Sequence, residues 1–309
     1  MQMKLLITGA SGFLGKNFLL AASKDWQITA FYNFSKDFLQ FLSQHGLSNV
    51  NAVRCDLSDG VQAKSVFEKL PKEFDACLYL AANSDPRKSF DDPVFDLRSN
   101  VVALLNFLRF YRGKKLVFLS SGSVYDGSFG PVSPKTPVCP KLPYAITKIA
   151  SEQYVKFYCE EKKTIGNYVV IRFFGAFGPY EPERKVYSKL VKAFALQKKK
   201  SFEIYGDGTN LIDAMYVDDA VAALRKCVEK DVGSVVVDLP GGNPMAVTKL
   251  VEIAAKTFGV KNVEIIKKGK SVEPIRFTAS MGEFENFFGF TPTISVEEGL
   301  KRLEKFLRG

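Results

Sequence analysis

A strand that runs straight into closely spaced glycines, and from there into a helix, leaves a chain few options. Leu5-Leu6-Ile7 leads into Thr8-Gly9-Ala10-Ser11-Gly12-Phe13-Leu14-Gly15, and a helical pattern follows from Phe13 to Ser23. The backbone must leave the strand through a tight turn. It then presents the unpaired N–H groups of a helix start, where the helix dipole favours an anion. A G-x-x-G-x-x-G spacing between strand and helix is suited to a dinucleotide pyrophosphate, with Gly9, Ser11, Gly12, Phe13, Leu14 and Gly15 forming the cradle. The competing reading is a purely structural turn. The apolar start, Met1 to Ile7, runs into the glycines without a cleavage pattern, so it reads as a strand and not as a signal peptide.

The residues that follow fix the fold class. Gln27–Tyr32, Val50–Arg54, Ala76–Ala81, Lys115–Ser120 and Tyr168–Phe173 are apolar runs, separated by helical stretches at 37–45, 61–70, 94–111 and 144–161. Strands that are apolar throughout and alternate with helices imply a parallel sheet covered on both faces, an α/β Rossmann-type fold. From about residue 176 the pattern loosens. Helices at 186–197, 217–230, 247–258 and 296–307 are joined by short strands and turns, with no repeat and no low-complexity linker. The expected division is a dinucleotide-binding unit at 1–175, with 209–240 contributing, and a smaller α/β substrate lobe at 176–208 and 241–309.

A second constellation carries chemistry. The strand ending in Ser120-Ser121-Gly122-Ser123-Val124-Tyr125 is followed, after a Pro-rich loop, by Tyr144-Ala145-Ile146-Thr147-Lys148. Residues four apart share one helix face, so the Lys148 ammonium can stand beside the Tyr144 phenol. A phenol ordinarily holds its proton to about pH 10, and a neighbouring cation favours the phenolate. Tyr144 is therefore a candidate proton carrier, Ser121 a candidate to hold and polarise the reacting oxygen, and Ser123 a candidate substrate contact. Tyr-x-x-x-Lys alone arises by chance on solvated helices; with the glycine loop and the serine-rich strand end it becomes specific.

Together these motifs resemble the extended branch of the short-chain dehydrogenase/reductase superfamily, the epimerases, dehydratases and reductases of nucleotide sugars. The resemblance covers nearly the whole chain: Arg172-Phe173-Phe174-Gly175-Ala176-Phe177-Gly178-Pro179, Ile204-Tyr205-Gly206-Asp207-Gly208, Tyr216-Val217-Asp218-Asp219 and Gly241-Gly242-Asn243 all look like signatures of that group. It implies further roles. Asp56 and Leu57 would meet the adenine, Leu80, Ala81 and Ala82 would line the nicotinamide ribose, and Asn100 would stand at the family's helix asparagine. Phe173 would adjoin the cofactor with Tyr144 and Lys148. Gly175, Ile204, Tyr205 and Arg276 would border the substrate, with the base near Ile204 and Tyr205 and the diphosphate on Arg276. It also implies hydride transfer at a sugar carbon, C4 by preference, in a 4-keto-reductase or a 4-epimerase, and a homodimer built on the helices at 94–111 and 144–161.

Three departures shape the expectation. Where NAD-binding members end the second strand with an acid, this chain reads Tyr32-Asn33-Phe34-Ser35-Lys36. Asn33, Ser35 and Lys36 then suit a 2′-phosphate, favouring NADP, with NAD the close alternative. The dehydratases' Asp-Glu pair is replaced by Gly122 and Ser123, which disfavours water loss. The family's substrate Asn is Gly175, and an Arg common after the Gly-Asp-Gly turn is absent, Ile212 lying in its region.

Composition closes other routes. Five scattered cysteines and a single histidine, His45, offer no metal-ligand spacing, and they fit a reduced cytoplasmic protein. No apolar run approaches the roughly 20 residues of a membrane span. The net charge of +10 attracts anions such as a diphosphate. Nucleic acid is not expected as a partner, although a non-catalytic dinucleotide sensor or RNA-binding relative is the alternative class; such relatives lose the Ser, Tyr or Lys that this chain keeps.

Overall fold

The computed structural model describes residues 2–270 and 275–309. Its first half runs β1 Lys4–Thr8, α1 Phe13–Ala21, β2 Gln27–Tyr32, α2 Phe38–Gln44, β3 Val50–Arg54, α3 Gly60–Phe67, β4 Ala76–Tyr79, α4 Pro86–Asp91 and α5 Pro93–Leu97. A π turn, Arg98–Val102, joins α5 to α6 Ala103–Phe110, and β5 Gly113–Ser121, β6 Gly130–Val132, α7 Pro143–Glu160 and β7 Ile165–Phe173 follow. The remainder comprises β8 Ala176–Phe177, α8 Val186–Leu190, β9 Ser201–Tyr205, β10 Leu211–Ile212, β11 Met215–Tyr216, α9 Val217–Glu229 and β12 Val235–Leu239. β13 Met245–Ala246, α10 Val247–Thr257, β14 Glu264–Lys268, β15 Phe277–Ala279, α11 Met281–Phe288 and α12 Val296–Arg308 complete the chain.

Seven strands form one sheet in the order β12-β7-β5-β4-β1-β2-β3, every neighbouring pair parallel. The pleat sends alternate side chains to opposite faces. Leu5 and Ile7 join the core that includes Phe18 of α1 and Leu224 of α9, while Leu6 joins Ala63 of α3, Leu104 of α6 and Val155 of α7. Both faces are thus covered by helices, which is why these strands are apolar throughout. Order reverses between β1 and β4, and in such sheets the crevice beyond the carboxyl ends at that switch point is where ligands bind.

One charged side chain ties the outer helix to the sheet. Lys115, buried in β5, donates from Nζ to the carbonyls of Cys227, Val228 and Lys230 at the end of α9. Those carbonyls have no partner within the helix, and a cation suits that end of the dipole.

Two local features differ from the sequence pattern. The helix expected at 94–111 contains the π turn, and α4 precedes it where no helix was expected. Among the described residues four two-stranded pairs stand outside the main sheet: β8 with β11, β9 with β14 and β10 with β13 in the loosened second half, and β15 with β6 of the first. Strands of two to five residues carry too few alternations to register as a period.

Candidate active site

The glycine loop fills the crevice between β1 and β4. Gly9 adopts φ +66°, and a Cβ there would come within 2.8 Å of the Ala81 amide nitrogen; a Cβ on Gly15 would come within 2.5 Å of the Ala10 carbonyl oxygen. Thr8 Oγ1 accepts hydrogen bonds from the Leu80 and Ala81 amides at 3.2 and 3.1 Å, locking this turn to the end of β4. The Gly12 N-cap supplies no side-chain bond to the amides opening α1. Those donors, with Ser11, Phe13 and Leu14 around them, face the crevice ready for an anion, so a dinucleotide pyrophosphate fits here.

Beyond β2 and β3 lies the expected adenosine end. Burial pushes the Asp56 carboxyl up, but donation from the Ser58 hydroxyl and amide and from Asn33 outweighs it, so the group sits below the usual carboxylate range. The Leu57 side chain is in the core, and its carbonyl accepts from Asn106 Nδ2 at 3.0 Å, so only its backbone borders this region. The 2′-phosphate cradle expected at Ser35 and Lys36 holds a carboxylate instead. Ser35 Oγ donates to Asp37 Oδ1 at 2.5 Å, and Lys16 Nζ binds Asp37 Oδ2 at 2.9 Å. These bonds hold the Asp37 carboxyl down to about 2, and they engage the Ser35 hydroxyl that a 2′-phosphate would need.

At the other side of the switch point the catalytic candidates converge. Ser121 and Phe173 are direct register partners at the ends of β5 and β7. Ser121 Oγ lies 3.1 Å from Ser123 Oγ and accepts from the Ser123 amide at 3.1 Å, which shapes the turn after β5. Tyr144 and Lys148 are both buried on α7. Lys148 Nζ donates to the Leu119 carbonyl at 2.9 Å and lies 5.8 Å from the Tyr144 ring centre. Burial lowers the lysine to about 8, opposed by Asp96 and Glu152. An ammonium so held favours the phenolate of its neighbour.

Ser89, Asp96 and Asn83, which no motif singled out, fix this arrangement together with Asn100 and Thr147. Tyr144 donates its backbone N–H to Ser89 Oγ of α4 at 3.1 Å. Thr147 Oγ1 donates to Asp96 at 2.6 Å, and Asn100 Nδ2 donates to Asp96 and Thr147, while Asn100 Oδ1 accepts from the Asn83 amide at 2.8 Å. Asn100 stands in the π turn, a distortion common where a helix must aim a side chain. Asn100 thus braces α7 and the loop after β4. The resemblance marked Asn100, but for Asp96 the only sequence signal was its i, i+4 spacing from Asn100, which any helix can show.

Below the serine turn lies a buried polar chain. Arg172 binds Glu152 through Nε and Nη2, Ser120 Oγ donates to Glu152 at 2.5 Å, and Tyr125 OH, accepting from Arg172, donates to Asp238 at 2.8 Å. Burial raises the Asp238 carboxyl to about 6, against the pull of Tyr125 and Arg172. A carboxyl raised on folding stabilises the fold when protonated, and that contribution is lost as pH rises through 6. Asp238→Asn is therefore expected to gain on the parent as pH rises from about 4 to about 7, and to keep a constant margin above that. Thermal melts that stay parallel across that range would remove the assignment.

A cavity of about 330 Å³ opens between Tyr205, Asp207, Asn210, Lys270 and Arg276. Tyr205 and Arg276 are both on its wall. Ile204 is not, because alternation along β9 turns its side chain into the core. Gly175 follows β7, its carbonyl accepting from the Met215 amide at 3.2 Å.

Residues 5–237 match the model of the NAD dependent epimerase/dehydratase family. The chain belongs to that family. A putative UDP-glucose 4-epimerase of Methanocaldococcus jannaschii is 26% identical over 98% of both chains. A UDP-glucuronate 4-epimerase of Thermodesulfobacterium geofontis is 28% identical over 96% of this chain and 94% of its own. The solved structure of MoeE5 in complex with UDP-glucose and NAD is 25% identical, with a TM-score of 0.85 over 99% of this chain and 98% of that one. As an epimerase/dehydratase family member the chain is an enzyme of the extended short-chain dehydrogenase/reductase type, with the Rossmann-like sheet of that group. Among the described residues no helix is long and apolar enough to cross a membrane.

Proposed function

We propose that this enzyme is an NAD-dependent 4-epimerase of a nucleoside-diphosphate sugar. The observation that carries the proposal is the buried Tyr144–Lys148 pair beside the Ser121–Ser123 turn, at the same crevice as the glycine loop. When bound, the dinucleotide supplies a nicotinamide that accepts and returns hydride. Gly9, Ser11, Gly12, Phe13, Leu14 and Gly15 hold its pyrophosphate, Asn33 and Asp56 its adenosine end, and Leu80, Ala81, Ala82 and Phe173 its other end. Tyr144 takes the proton from the sugar hydroxyl as hydride leaves the carbon and gives it back afterwards. Ser121 and Ser123 hold the oxygen, and Lys148 keeps the phenol acidic.

NAD is favoured over NADP by the Asp37 carboxyl that engages Ser35, and by the NAD in the MoeE5 structure. Epimerisation is favoured over keto-reduction by the two relatives that carry that name and match nearly end to end. Dehydration lacks its acid–base pair at Gly122 and Ser123. The sugar's base end is assigned to Tyr205 and its diphosphate to the Arg276 side of the cavity.

The substrate lobe is assigned to 176–208 and 241–309, and the dinucleotide unit to 1–175 with 209–240, an assignment supported by β12 completing the main sheet. Exposed Val94 and Leu97 of α5 and Ile146, Tyr154 and Phe157 of α7 support pairing of two chains. Light scattering is expected to give twice the 34.4 kDa chain mass; a monomer at micromolar concentration would contradict it.

The function is tested on purified protein by mass analysis of any retained nucleotide, followed by 340 nm absorbance with a panel of nucleotide sugars. Retained NAD and an altered sugar without net absorbance change are expected. Stoichiometric consumption of added NADPH would replace the epimerase with a reductase.

A further inference from the structure

We propose that Arg87, on the short helix after β4, grips the diphosphate of the bound sugar nucleotide and so spans the cleft between the two ends of the substrate. The proposal rests on the nucleoside-diphosphate sugar reading and names a contact that no motif pointed to.

The Arg87 guanidinium carbon lies 5.6 Å from the ring centre of Tyr205, itself 57% exposed on the cavity wall. Arg87 thus reaches from the dinucleotide-binding half to the far lip of the cleft. Among the described residues, no salt bridge pairs Arg87, Arg276 or Lys270 with a carboxylate. Asp85, the nearest acid in sequence, is taken by Arg184 at 2.8 Å. Lys270 and Arg276 line the cavity with a single acid, Asp207, and Arg87 stands over its exposed aromatic ring, so cations outnumber carboxylates where a phosphate-bearing aromatic ligand would lie.

The helix that carries Arg87 is firmly placed. Asp85 caps its start by accepting from the Arg87 and Lys88 amides. Ser89, two residues after Arg87 and fully buried, donates to the Pro86 carbonyl and accepts from the Tyr144 amide at 3.1 Å. One rigid turn therefore connects the proton carrier to the arginine over the base-binding ring. In any nucleoside-diphosphate sugar the diphosphate links the base to the sugar. With the sugar at Tyr144 and the base at Tyr205, the linking group passes the turn that holds Arg87. A planar fork with five N–H donors matches phosphate oxygens better than an ammonium does.

The test is titration of UDP and of uridine into the NAD-loaded parent, Arg87→Ala and Arg87→Lys, with thermal melts of each. Arg87→Ala is expected to weaken UDP roughly 10- to 100-fold, the range for a charge-assisted contact, with uridine within about 2-fold and Arg87→Lys in between. Equal weakening of UDP and uridine would overturn the proposal, leaving Arg87 as a brace for Tyr205. Unchanged UDP affinity would overturn it as well. Failure of the parent to bind UDP, GDP, TDP or ADP would instead remove the sugar-nucleotide reading, and the proposal with it.

Discussion

Tyr144→Phe is expected to lower turnover roughly 1,000-fold while the protein keeps its dinucleotide and its fold. General acid–base groups contribute about 10²- to 10⁴-fold, and here one phenol serves in both directions of the reaction. Only an oxygen is removed, and the ring stays packed in its buried place at the start of α7. Steady-state kinetics should show the loss in kcat, with KM changed by less than about 3-fold. A loss below 10-fold would exclude Tyr144 as the proton carrier. It would also leave Lys148, lowered to about 8 by burial, with no phenol to acidify.

Gly9→Val attacks the other half of the account and should be nearly as severe. At φ +66° a β-branched residue is strained, at a cost on the order of 1–3 kcal/mol. Its Cβ would also press within 2.8 Å of the Ala81 amide nitrogen, which is itself held by Thr8. The loop cannot shift away without spoiling the amides at the start of α1. The expected result is loss of retained nucleotide by mass analysis and a melting temperature lowered by roughly 5–10 °C, taking a few degrees per kcal/mol for a chain of this size. Full occupancy in Gly9→Val would show that the pyrophosphate lies elsewhere.

The parts of the molecule legible in the sequence share one property: each is specified by neighbours in the chain. The glycine loop needs its strand before and its helix after, and all three lie within Lys4–Ala21. Tyr144 and Lys148 need only the period of one helix. The parallel sheet announced itself because strands buried on both faces tolerate no polar alternation. What escaped the sequence is set by distant partners. Ser89 holds the Tyr144 amide across 55 residues, and Arg87 meets Tyr205 across the cleft. Lys115 closes the end of α9 more than a hundred residues away. Ser35 misled because a hydroxyl after β2 suits a 2′-phosphate until its actual partner, Asp37, is seen beside it. Ile204 and Tyr205 are adjacent on one strand and so face opposite ways, Tyr205 to the cavity and Ile204 to the core, which a motif read in one dimension does not separate.

The central claim is that a hydrogen leaves one sugar carbon as hydride and returns to the same carbon while Tyr144 handles only the proton. Conversion of a UDP-sugar in D₂O by the holoenzyme, followed by NMR of the product, tests this directly. The account predicts product inverted at C4 that carries hydrogen there and no solvent deuterium. Deuterium at C4 would mean that the carbon exchanged a proton with solvent, and the hydride account would be contradicted.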